Sequence, residues 1–166
     1  MNQQKGSAET VLIVNPNSAG GSTDRDWKDI YDKIKVTLGD PEIAFSKKSG
    51  DGTSLTRDFL RQGFENIIAL GGDGTINEVA NGFFEELIVE KNYHNTKGNN
   101  TVFELPELRP INSRAIMGII PSGSRNVLAK SLDMPVEVVE CCQRFVDSKP
   151  RKIDVVVGAM TKVKDP

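Results

Sequence analysis

Short apolar runs alternate with stretches in which apolar residues recur every three or four positions, and this alternation repeats along the chain. TVLIVN (10–15) is rich in β-branched residues and is stopped by Pro16, the pattern of a strand buried on both faces. A loop, PNSAGGST, follows; then Trp27, Ile30, Tyr31, Ile34 and Leu38 fall at helical spacing, with Gly39 placed to end the helix. The unit repeats as a brief strand over 42–45, the loop SKKSGDG and a helix over 53–62, where Leu55 and Phe59 share a face, Asp51 is a candidate cap and Gly63 a stop.

The third unit predicts a strand over 66–70 and a helix over 76–89 carrying the apolar stripe Ile76, Val79, Ala80, Phe83 and Leu87. Residues 91–113 break the rhythm: they are polar, rich in asparagine and proline, and too long for an ordinary helix-to-strand connection, which marks an insertion. Beyond it come a strand over 115–120, the loop PSGSR, a short helix over 126–132, a second helix over 136–147 introduced by Pro135, and a last strand over 151–158. Strands alternating with helices imply an α/β fold of three layers, α/β/α, around a mainly parallel sheet. In such a sheet ligands lie beyond the carboxyl ends of the strands, the edge where every glycine-rich loop here falls.

Composition narrows the classes. The chain has 166 residues, 21 basic against 23 acidic, so one sizeable domain fits and no basic excess points to a nucleic-acid partner. No apolar run is long enough for a membrane span and MNQQKGSAET lacks the apolar core of a signal peptide, so a cytoplasmic protein is expected. Cys141 and Cys142 are neighbours inside a helix, where they cannot form two corners of a metal site and read as reduced packing residues. His94, the one histidine, lies in the insertion with no partner for a metal and reads as a solvated loop residue.

Four loops remain as candidate chemistry: NPNSAGG, SKKSGDG, GGDGT and PSGSRN. Glycine lets backbone amides approach an anion, and a helix start favours negative charge, so a polyphosphate suits them. None has the spacing of a Walker loop, and the first lacks the glycine spacing of a Rossmann dinucleotide loop. Asp73 stands against that guest. A carboxylate beside phosphates is tolerated if it caps the helix, takes up a proton, or meets them through a magnesium ion, and the residues alone leave all three open.

GGDGTINEVANGF followed by GIIPSGSRNVLAKSLDMP resembles the paired signature of the diacylglycerol kinase catalytic domain family, which includes bacterial lipid kinases and sphingosine kinases. VLIVNPNSAGG and SKKSGDG resemble that family's first and second nucleotide loops, in the same order. The resemblance spans nearly the whole chain. It implies an NAD kinase/diacylglycerol kinase-like nucleotide-binding domain over 1–150, with 151–166 the entry strand of a β-rich second domain that is missing here. It implies further an ATP-dependent lipid kinase using Mg²⁺ to phosphorylate a hydroxyl of diacylglycerol or a sphingoid-like lipid, the chain alone being better equipped to bind nucleotide than to turn it over. Carried over by residue, nucleotide contacts fall on Asn15, Ser46, Gly71, Gly72, Asp73, Gly74, Thr75, Ile76, Asn77, Gly123 and Ser124. The resemblance implies that Asp73 is the catalytic carboxylate, metal-linked or proton-accepting, and that Asn126 shapes the last loop.

Ser124 keeps the hydroxyl of the threonine more usual there, while Arg125 replaces a commonly small residue. Contact with a membrane surface is expected to be transient, and a strand edge or the face opposite the absent domain leaves self-association open. Two alternatives stand beside this reading. NAD kinases share GGDGT and a similar fold, though PSGSRNVLA favours the lipid branch; a non-catalytic nucleotide-binding module is the other.

Overall fold

A computed structural model describes residues 9–85 and 108–156. Four strands, β1 (Thr10–Val14), β2 (Glu42–Phe45), β3 (Asn66–Gly71) and β4 (Ile116–Pro121), form one sheet in the order β2-β1-β3-β4. Every pairing is parallel. The six described helices are α1 (Ser18–Arg25), α2 (Trp27–Leu38), α3 (Asp51–Gln62), α4 (Asp73–Gly82), α5 (Val127–Ser131) and α6 (Val138–Asp147).

The period of two along each central strand divides the core between the two faces of the sheet. Val11 and Ile13 of β1 join Ile67 and Ala69 of β3 in one cluster with Leu60, Ile76 and Val79, so α3 and α4 cover that face. Leu12, Val14, Ile68 and Leu70 point the other way, onto Ile34 of α2 and Cys141 and Cys142 of α6. This is the expected three-layer α/β arrangement. Both cysteines are buried and unpaired, and burial pushes their thiols up to about 12 and about 11.

Several boundaries depart from expectation. The first loop is coiled: Ser18–Arg25 is helical except for a left-handed stretch at Ala19, Gly20 and Gly21. Helix α4 stops at Gly82 instead of continuing to Val89, because the backbone beyond it pairs with the far end of the insertion. Phe84 bridges Pro110, the Glu85 amide donates to the Arg109 carbonyl at 2.9 Å, and that of Ile111 to Phe83 at 2.9 Å. Residues 86–107, including Leu87, His94 and most of the insertion, lie outside the described residues, as do 157 and 158 of the expected last strand. The described part of that strand, 151–156, pairs with nothing in the sheet and is exposed, with Val156 fully so.

Candidate nucleotide site

The loops after β1, β3 and β4 converge at the carboxyl edge of the sheet, because the strands that deliver them are immediate neighbours. They enclose a cleft of about 260 Å³ lined by Asn15, Ser18, Ala19, Gly72, Asp73, Gly74, Thr75, Gly123, Ser124 and Arg125. A larger hollow of about 530 Å³ beside Arg25, Asp26, Lys28, Asp29 and Asp32 lies on exposed helix surface and shares no lining residue with this cleft. The glycine-rich loops line the smaller one.

Its walls are tied together by short polar contacts. The Asn15 side-chain amide donates to the Thr75 hydroxyl at 3.1 Å, linking the first loop to the start of α4. Behind it three hydroxyls cluster: Ser18 and Thr23 at 2.6 Å, Thr23 and Ser122 at 2.7 Å, with Ser18 donating to the Asn15 carbonyl at 2.8 Å. Thr23 is buried, so the first and last loops are joined inside the protein. A Cβ built on Gly123 would stand 2.6 Å from the Gly72 Cα; the third and fourth loops therefore touch backbone to backbone, at a separation only glycine permits. Asn126, in the left-handed region at φ 49°, accepts the Gly123 amide on Oδ1 at 2.8 Å and closes the last loop.

Asp73 opens α4 but caps a different helix. Its Oδ1 accepts the Leu128 amide at 3.2 Å, at the start of α5. The Val127 amide, then that of Leu128, holds its carboxyl below the usual carboxylate range against the opposing effect of burial, with Arg125 and Lys130 adding attraction. Of the three roles open in the sequence, capping is realised across space. Among the described residues no group of three or more His, Cys, Asp or Glu could hold a metal. Magnesium, however, is commonly held by one or two carboxylates together with phosphate oxygens and water, and Asp73 on the cleft wall fits that mode.

The residues expected to contact nucleotide separate into two sets. Asn15, Gly72, Asp73, Gly74, Thr75, Gly123 and Ser124 line the cleft. Ile76 is buried in the core, Gly71 is buried at the end of β3, and exposed Asn77 accepts the Asn81 side chain on its carbonyl, none of them on the cleft wall. Ser46 is buried too, its hydroxyl donating to the Val14 carbonyl at 3.4 Å. The expected cap Asp51 turns back instead, accepting the amides of Lys47 at 2.8 Å and Lys48 at 3.0 Å.

Sequence reasoning passed over the hydroxyl cluster and Glu78. From α4, Glu78 accepts the amides of Gly50 at 2.8 Å and Gly52 at 3.1 Å. Its only sequence signal is the carboxylate five residues after Asp73, which does not reveal which helix lies alongside.

A parallel α/β/α domain here gathers glycine-rich loops around Asp73 at the carboxyl edge of its sheet, the edge where ligands of such sheets lie. The model of the diacylglycerol kinase catalytic domain matches residues 9–157, and the chain belongs to that family. It is 26% identical over 144 residues to a diacylglycerol kinase of Staphylococcus saprophyticus, covering 87% of this chain and 39% of that protein. It is 32% identical over 147 residues to a protein of Chromohalobacter salexigens named "Probable lipid kinase YegS-like", covering 89% and 39%. A crystal structure of a diacylglycerol kinase from Bacillus anthracis superposes with a TM-score of 0.57 at 25% identity, over 86% of this chain and 43% of that one. The chain thus spans about two fifths of the length of these relatives.

Proposed function

We propose that this chain is the ATP-binding part of a lipid kinase that transfers the γ-phosphoryl group to a hydroxyl of diacylglycerol or a related lipid. The observation that carries the reading is the cleft itself, where three of the family's signature loops meet around Asp73. Phosphoryl transfer asks the protein mainly to position the reactants and to neutralise charge. Gly72, Gly74 and Gly123 let the backbone approach phosphate oxygens, and the start of α4 favours their charge. The Asn15–Thr75 contact fixes the cleft floor, and Arg125 adds a cation to its wall. Magnesium, when bound at Asp73, would supply charge neutralisation between the carboxylate and the phosphates.

Calorimetry with ATP and Mg²⁺ tests binding directly. Asp73→Asn keeps an acceptor for the Leu128 amide and removes the charge, so the fold should survive while magnesium-dependent affinity falls. In the longest natural form of the protein, phosphate transfer to diacylglycerol should drop on the order of 10²-fold or more in the same variant. No ATP binding by folded wild-type protein, or NADP formation when NAD and lipid are offered together, would overturn the reading.

A further inference from the structure

We propose that Thr23 is a positioning residue, the central link of a chain of hydroxyls that holds the backbone arch 19–21 over the cleft at a set spacing from the last loop. The inference rests on the nucleotide reading above and adds to it a residue that touches no ligand.

The arch is strained. Ala19, Gly20 and Gly21 are consecutive left-handed residues, at φ 51°, 68° and 85°. Ala19 carries a Cβ, so it holds that conformation against a steric cost and needs its surroundings to impose it. Little within the stretch does so: a Cβ on Gly20 or Gly21 would meet nothing within 4 Å, and the Gly21 amide reaches the Asn17 carbonyl at 3.3 Å. The constraint lies at its two feet. Ser18 stands immediately before the arch and Thr23 two residues beyond it, and their hydroxyls are 2.6 Å apart.

The number of protons orders these contacts, because each hydroxyl has one to donate. Ser18 donates to the Asn15 carbonyl at 2.8 Å in preference to the Ser122 hydroxyl at 3.3 Å. Thr23 is therefore the donor in its contact with Ser18 and the acceptor in its 2.7 Å contact with Ser122. The chain runs from Ser122 through Thr23 and Ser18 to Asn15. Both of its ends are fastened to β3, since the Ser122 amide donates to the Gly71 carbonyl at 2.9 Å and the Asn15 amide to that of Leu70 at 3.0 Å.

Thr23 itself is 1% exposed and forms no part of the cleft wall. It acts through Ser18, beside Ala19 on one wall, and through Ser122, beside Gly123 on another. O–H···O bonds confine a separation to a range of about 0.5 Å, so the spacing of these two walls is fixed before a ligand arrives. A wall left loose would have to be ordered on binding, at a cost to affinity.

The test is calorimetry with ATP and Mg²⁺ on wild type and three variants. Thr23→Val keeps the shape and removes the central hydroxyl; affinity should fall about tenfold, the effect of ordering one or two side chains on binding. Thr23→Ser restores the hydroxyl and should bind within about threefold of wild type. Thr56→Val is the control for a purely structural role: Thr56 is equally buried and donates to the Gly52 carbonyl at 2.7 Å, but no loop of the cleft depends on it, so ATP affinity should not change. If Thr23→Val does not fold, Ser122→Ala, which removes the first donor of the chain, should give the same loss. Unchanged affinity in the variant that breaks the chain overturns the proposal and leaves the nucleotide reading intact. So does a Thr23→Ser protein as weak as Thr23→Val, or an equal loss in Thr56→Val. Failure of folded wild type to bind ATP removes the nucleotide reading itself and this proposal with it.

Discussion

Asp51 and Asp73 each hold a carboxylate against backbone amides outside their own helix ladder, Asp51 against Lys47 and then Lys48, Asp73 against Val127 and then Leu128. Both therefore sit below the ordinary carboxylate pKa. A group depressed in the folded state contributes stability that is present above its unfolded pKa, about 4, and disappears as pH falls through the lower folded value. For these two groups the melting temperature should stay level from pH 7 to about pH 5 and decline below about pH 4. Asp51→Asn should melt lower at pH 7 and show a shallower acid decline, read by thermal denaturation across that range. An equally steep decline in the variant would detach Asp51 from the effect.

At the scale of elements, α4 presents different faces to different tasks. Its first turn lines the cleft, Ile76 and Val79 enter the core beneath β3, and Glu78 reaches toward α3. The family signature runs through all of these positions, so residues that line the cleft and residues that pack are interleaved within a few places of each other. Ile76 belongs to the second kind. Ile76→Val should cost about 0.5–1.5 kcal/mol in urea unfolding and leave ATP affinity unchanged. A loss of ATP affinity without loss of stability would return Ile76 to the site.

The whole molecule brings loops from separate strand–helix units into one place. The sheet order sets β1, β3 and β4 side by side, though some forty-five residues separate the ends of β3 and the start of β4 in the chain. The Gly72–Gly123 contact closes the cleft across that distance. Gly123→Ala places a methyl group 2.6 Å from the Gly72 Cα and 2.8 Å from Asn126 Oδ1, so the two loops must separate. ATP affinity should fall at least tenfold by calorimetry, a larger relative effect than the change in melting temperature, because the strain falls on the loops while the core beneath them stays packed. Unchanged ATP affinity would show that the cleft tolerates the wider spacing.

What sequence alone determined was local: apolar runs and helical spacings that bury one face or two, and glycine-rich loops whose composition suits an anion. Those features depend on neighbours within a few residues, which the chain itself supplies. The extent of α4, the fate of 151–156, the inward turn of Ser46 and the contacts of Glu78 with Gly50 and Gly52 were decided by tertiary structure. Each depends on which segment lies alongside. An apolar stretch such as Ile153–Val156 becomes a strand only when another strand takes its hydrogen bonds, and a carboxylate such as that of Glu78 or Asp73 acquires its role from amides that folding brings to it from 25 or more residues away.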